Sequence, residues 1–156
     1  MPEQKQRTYG KKSRQPQAPI SDEYGRLQPQ APELEQAVLG ALMIERDAYT
    51  IVGEILAPES FYEHRHQLIY EAIRRLNIEQ KPVDILTVAE QLRTSGTLEE
   101  VGGPFYITQL SGMVASSAHI EYHARIIAQK HLARQLITFT SQVQTKAFDA
   151  TQDIDE

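Results

Sequence analysis

From Ser117 to Phe148 the chain runs without a glycine or a proline, and no other feature limits its fold so strongly. Ala, Gln, Arg, Lys, Leu and Ile dominate the stretch, and these residues lose little rotamer freedom in a helix. Its apolar residues fall at Ile120, Ala124, Ile127, Ala128, Leu132, Leu136, Phe139, Val143 and Ala147, in steps of three and four. That spacing predicts one helix with a single apolar stripe. Ser116 or Ser117 stands where a hydroxyl can cap its first turn. At 1.5 Å per residue, about 30 residues make a rod of roughly 45 Å. A domain of about 100 residues has a radius of gyration near 13 Å, so the rod outruns the globule before it. Apolar positions past the globule's edge then need another partner. We read the stripe as an oligomer interface made of Ile120, Ala124, Ile127, Leu132, Leu136, Phe139 and Val143. A long core helix with a frayed end is the alternative.

The rest of the chain divides sharply by composition. Residues 1–31 hold almost no large aliphatic side chains, with prolines at 2, 16, 19 and 29 among Gln, Lys and Arg. Such a segment cannot build a core and reads as a disordered tail. Residues 1–19 carry Lys5, Arg7, Lys11, Lys12 and Arg14 against Glu3, a net +4, whereas the remaining residues carry 11 basic and 20 acidic side chains. The acidic body is a poor ligand for a phosphate backbone. The tail is either simply solvated or a contact for nucleic acid or an acidic partner. The absence of cysteine excludes disulfides and thiolate metal sites. No apolar run approaches the length of a membrane span, and no signal peptide opens the chain, so a soluble, cytoplasmic protein is expected.

Helical periodicity continues through residues 32–113. Pro32 suits a first helical position and Glu33 and Glu35 its positive end, followed by Leu34, Val38, Leu39, Leu42 and Met43 on one broad face. A short helix is predicted over Ala48–Leu56, with Ile51, Val52, Ile55 and Leu56 inward and Pro58 closing it. The next spans about His64 to Asn77, with Leu68, Ile69, Ala72, Ile73 and Leu76 together. Asp84 is placed to cap a helix carrying Ile85, Val88, Ala89 and Leu92, and Gly96 to end it. Thr97 to Glu100 fits a capping box, and Phe105, Tyr106, Ile107 and Leu110 follow the Gly102-Gly103-Pro104 turn. Nothing alternates with period two. The fold class is all-α: a compact bundle of short helices followed by one long helix.

Candidates for chemistry are few. His119 and His123 stand at i, i+4 with Glu121 between them, a spacing that can hold a metal, yet no third ligand joins them locally. His64 and His66, flanking Arg65, are a weaker pair. There is no phosphate-binding P-loop, and Gly102-Gly103 lacks the strand and third glycine of a dinucleotide loop. Residues 87–96 followed by the 102–110 helix have the length of a helix–turn–helix, but the second helix offers no Arg or Lys and only Gln109 to read a base. No catalytic, cofactor or metal site is expected in this chain.

In order, the residues have a recognisable pattern. Glu33-Leu34-Glu35-Gln36, with Val38, Leu39 and Gly40, opens it. Pro58-Glu59, Phe61-Tyr62, His66 and Ile69 follow, and then Pro82-Val83-Asp84, Leu86-Thr87-Val88, Gly102-Gly103, Tyr106 and Leu110. It closes with Tyr122, Ala124-Arg125-Ile126-Ile127, Arg134 and Leu136. Over about residues 31–150 the pattern resembles the N-terminal domain of the bacterial replicative DNA helicase of the DnaB type. Leu34 departs from the alanine usual between the two early glutamates, and the basic tail lies outside the resemblance.

The resemblance implies a collar domain that pairs through an antiparallel helical hairpin, assembles as a trimer of dimers and docks the C-terminal domain of primase. A helicase loader is a further candidate partner. ATP and Mg²⁺ belong to a RecA-like motor absent from this chain, and DNA is reached through the parent protein. It further implies a head at 32–113, the hairpin's first arm at 114–150 and the cut start of the second arm at 151–156, leaving a weak dimer or a monomer. Primase contact is expected at Glu33 and Tyr106, both taken as exposed. An unrelated helical adaptor and a small helix–turn–helix domain are the alternatives.

Overall fold

Pro32 opens the first helix where its missing N–H costs nothing, and the chain stays helical to Ile44 (α1, Pro32–Ile44). The structure, a computed structural model, describes residues 26–113 and 117–149. The basic stretch, the Ser116 and Ser117 caps and residues 151–156 lie outside the described residues or side chains. After α1 come α2 (Ala48–Ile55), a 3₁₀ turn at Pro58–Ser60, α3 (His64–Ile78), α4 (Ile85–Thr94) and α5 (Gly103–Gly112). A second 3₁₀ turn, Ser117–His119, leads into α6 (Ile120–Phe148). No strand occurs among the described residues.

α1 is the hub. It packs against α2, α3, α4, α5 and α6, and its Val38, Leu39 and Leu42 are buried at the centre. α3 contributes Ile69, Tyr70 and Ile73, α4 Val88 and Leu92, and α5 Ile107 and Leu110. Ile51 is an exception among the predicted inward residues. It is exposed, because α2 has only eight residues and turns Ala48 and Val52 to the core instead.

Local chemistry sets the ends of the elements. The Thr87 N–H donates to Asp84 Oδ1 at 2.8 Å, and the Asp84 N–H donates to Thr87 Oγ1 at 2.9 Å, a reciprocal cap on α4. At the other end Gly96 takes φ +74°, its N–H bonding Arg93 O while the Thr97 N–H bonds Leu92 O. Thr97 is thereby committed to closing α4. It does not open a helix, and the capping box read at Thr97–Glu100 gives way to turns that run to Gly102.

α6 departs most from the sequence reading. Ile120, Ala124 and Ile127 are buried in the core of the head, against α1 and α2. They are head residues, and their assignment to an oligomer interface is corrected. Leu132, Leu136, Phe139 and Val143 lie, at 100° per residue, roughly 130° round the helix from them. The apparent single stripe is two faces. Steps of four advance 40° past a full turn, so a run dominated by them winds slowly from the head to the opposite side. Beyond Ile137 every described residue of α6 is exposed, which leaves roughly 16 Å of helix projecting from the head.

Residues 28–31 are half-buried, and the Arg134 guanidinium donates to Pro29 O at 2.8 Å. The packed head thus begins a few residues ahead of Pro32. The α4 cap is the simplest local feature to test: Asp84→Ala should lower stability by about 1 kcal/mol. Thermal denaturation followed by circular dichroism should show a fall of several degrees with unchanged helix content.

Candidate functional site

Glu35 falls at the same helical phase as Val38, Leu39 and Leu42, so the folding of α1 carries a carboxylate into the core. It is 1 % exposed. Four interactions compensate it. The Tyr62 N–H donates to it at 2.9 Å, the Glu63 N–H at 3.3 Å, and His66 Nδ1 at 2.9 Å, with a second, longer contact from Tyr62 N at 3.2 Å. His66 Nε2, on the far side of the ring, accepts the Tyr106 hydroxyl proton at 2.6 Å, and the Gln36 amide donates to that same oxygen at 3.4 Å. Burial raises the Tyr106 phenol above its ordinary value, which keeps its proton in place. The Arg65 guanidinium closes the top, 4.1 Å from the Tyr106 ring centroid.

A carboxylate–imidazole–hydroxyl series invites comparison with a nucleophilic triad, but access decides otherwise. His66 is wholly buried and Tyr106 is 6 % exposed, so no substrate reaches either. The series joins α1, the 61–63 loop, α3 and α5. Tyr106 is therefore a core residue. Its expected role as an exposed primase contact is corrected, because its ring and hydroxyl are both spent inside the head. Glu33, one turn edge away on α1, is exposed. The other weighed histidines do not converge: His119 and His123 have ring centroids 6.4 Å apart, and no group of three or more potential metal ligands forms among the described residues. The outer face of α5, with Phe105 and Gln109 exposed, carries no cation for a phosphate backbone.

What the head leaves open is on α6. Leu132, Leu136, Phe139 and Val143 are each more than half exposed, from 51 % at Val143 to 63 % at Phe139. Four large apolar side chains thus share one exposed face of a projecting helix, an arrangement that is uncommon on the surface of a monomer. Beside it, α6 and the Pro58–Ser60 turn enclose a groove of about 410 Å³ between Tyr62, His131, Arg134 and Phe139. Burial, and then the Arg134 charge, lower the His131 imidazole below its ordinary value and favour its neutral form.

The described residues thus form an all-helical head with a projecting helix that carries an exposed apolar face. A family model, the DnaB-like helicase N terminal domain, matches residues 27–129. The replicative DNA helicase DnaB of Rhodothermus marinus is 47% identical over 146 residues, which make up 94% of this chain and 15% of that protein. The N-terminal domain of DnaB helicase from Mycobacterium tuberculosis superposes with a TM-score of 0.76 at 35% identity, covering 80% of this chain and 90% of that one. A DnaB-like replicative helicase, described with its interactions with primase, superposes at 0.65 with 28% identity, covering 74% of this chain and 27% of that one. This chain belongs to the family of DnaB-like helicase N-terminal domains. It spans only a small part of the helicase it matches. No helix among the described residues is long and apolar enough to cross a membrane.

The buried series went unread in the sequence, although a signal was there. Glu35 and His66 are the polar members of otherwise apolar faces, 35-38-39-42 and 66-69-70-73. Glu35→Ala should cost at least about 3 kcal/mol, since it strands two backbone N–H groups and an imidazole N–H. Tyr106→Phe, which removes one hydroxyl, should cost about 1 kcal/mol. Urea unfolding of both variants measures the difference, and equal midpoints would show that Glu35 does not organise the series.

Proposed function

We propose that this chain is the collar domain of a replicative DNA helicase, a module that joins copies of the helicase and carries the docking site for primase. In this reading the parent protein works in the cytoplasm and unwinds DNA with ATP and Mg²⁺, through a motor outside this chain. The collar forms dimers and then a trimer of dimers, docks the C-terminal domain of primase, and is a candidate contact for a helicase loader. The observation that carries the reading is the exposed face Leu132–Leu136–Phe139–Val143 on a helix that has left its own head. Full burial of such side chains contributes roughly 1.5–3 kcal/mol each, and these are already about half covered, so the four together supply several kcal/mol. That matches the cost of association in lost translational and rotational freedom without greatly exceeding it. One α6 against another therefore gives a weak dimer, and a second helical arm would make it stable.

The primase assignment rests on the helicase described with primase and on the exposed carboxylate of Glu33. Light scattering over a range of concentrations tests assembly. The domain should associate at high micromolar concentration, and Leu136→Asp should hold it monomeric, because a carboxylate would be buried without a partner at the seam. The melting temperature of that variant should stay unchanged, since Leu136 is exposed in the single chain. Association indifferent to Leu136→Asp would place the interface elsewhere.

A further inference from the structure

Arg134 stands where α6 leaves the head, with two neutral acceptors and no acid beside it. Its guanidinium donates to Pro29 O at 2.8 Å and to Ser60 O at 2.9 Å, and lies 5.4 Å from the Tyr62 ring centroid. Among the described residues no carboxylate stands within ion-pair distance of it. The Glu35 carboxylate, spent on its own donors, acts on Arg134 only at longer range. Three guanidinium N–H groups are left over, since the group carries five. Tyr62 and Phe139 give the groove of about 410 Å³ aromatic walls, and Glu59 is the one acidic side chain among its lining residues. Gln28 lines the same groove, and the next residue, Pro29, is the one whose carbonyl Arg134 holds. The chain therefore leads directly into the groove from its N-terminal side.

We propose that the chain's own segment Asp22-Glu23-Tyr24 docks in this groove, a carboxylate pairing with Arg134 and the Tyr24 ring lying on Phe139. Charge and position select the occupant together. Residues 21–27 carry two acids, Asp22 and Glu23, against one base, Arg26, whereas residues 1–19 carry a net +4. Asp22 and Glu23 are thus the acidic pair next to an aromatic residue that stands nearest the groove in sequence. Five residues separate Glu23 from Gln28 along the chain, a reach of at most roughly 18 Å. Arg134 lies closer to Gln28 than that, so the segment has to fold back, and Gly25 supplies the bend. A tether this short holds the acids at an effective concentration of about millimolar, which a free partner of the same chemistry does not match at micromolar levels. Arg suits the role better than Lys, because its planar fork can hold two backbone carbonyls and still present N–H groups to a carboxylate. Phe139 belongs to both the groove and the exposed face of α6, so the docked segment takes one of that face's four apolar side chains out of solvent. The inference goes beyond the assembly reading and does not rest on it.

Fluorescence quenching in the full chain tests it. The chain has no tryptophan, so Tyr24→Trp introduces a single indole and keeps both acids. At low micromolar protein its acrylamide quenching constant should be at least threefold smaller than that of Tyr9→Trp, an aromatic position 19 residues ahead of Gln28. Adding Asp22→Asn and Glu23→Gln to Tyr24→Trp should raise the constant to the Tyr9→Trp level. Arg134→Gln should do the same. So should Thr138→Glu, which sets a carboxylate in the groove wall from an exposed position and leaves the bonds of Arg134 to Pro29 and Ser60 in place. Glu59→Gln, which removes the acid from the groove wall, should lower the constant further. Arg26→Gln should leave the protection intact, and so should Leu136→Asp, which separates failure of the assembly reading from failure of this one. Equal constants at the two tryptophan positions would overturn the proposal, as would protection indifferent to Thr138→Glu. Protection that requires Arg26 rather than Arg134 would assign the acids to a pairing within the segment and overturn it equally. Protection that grows with protein concentration would place a second copy in the groove and also overturn it.

Discussion

Everything in the head hangs on one buried carboxylate. Glu35 sits in the hub helix at a position that periodicity reserves for an apolar side chain, and burying it uncompensated would cost several kcal/mol. The compensation comes from three separate places: the backbone of Tyr62 and Glu63, the imidazole of His66, and through it the hydroxyl of Tyr106. Because each donor has to be present in one geometry, the carboxylate fixes the register of α1 against α3 and the approach of α5. An apolar contact could slide by a fraction of a turn at little cost. A hydrogen-bonded anion cannot.

That register determines where α6 leaves the head. Its first turns fit Ile120, Ala124 and Ile127 into the same core, and Arg134 pins it to Pro29 and Ser60 at the point of exit. Past Ile137 every described residue of the helix is exposed, and Leu132, Leu136, Phe139 and Val143 are each more than half open to solvent. A folded head that directs a helix with an exposed apolar face away from itself suits the assembly role proposed for it. The chemistry inside the head serves that geometry: the buried carboxylate–imidazole–hydroxyl series holds α1, α3 and α5 together.

Much of this was legible in the sequence. The short helices declared themselves through period and punctuation: Pro32 at a start, Asp84 and Thr87 as a reciprocal cap, Gly96 at a left-handed end. The resemblance carried by Glu33–Gly40, Pro82–Val88 and the later motifs led to the right family, which a one-dimensional pattern can do because order and spacing are themselves one-dimensional. What could not be read was direction in space. Steps of three and four define a stripe only while they balance, and in α6 the fours prevail, so one apparent face became two. Tyr106 looked exposed for a related reason: its partners, 40 and 70 residues away at His66 and Gln36, are joined to it only by the fold. Ile51 shows the limit for a short helix, where eight residues offer too few turns to fix which side faces in.

The central claim is that the late face of α6 is covered by another copy of the domain. The chain has no cysteine, so a single introduced thiol reports on one position alone. In the assembled protein, the maleimide reaction rate of Val143→Cys should fall at least tenfold below that of Ser141→Cys. Position 141 lies on the side of α6 away from the seam, roughly 160° round the helix from Val143. In the dilute single domain the two rates should be comparable, since both residues are exposed there. Equal rates in the assembled protein would show that the face stays open to solvent and would contradict the account.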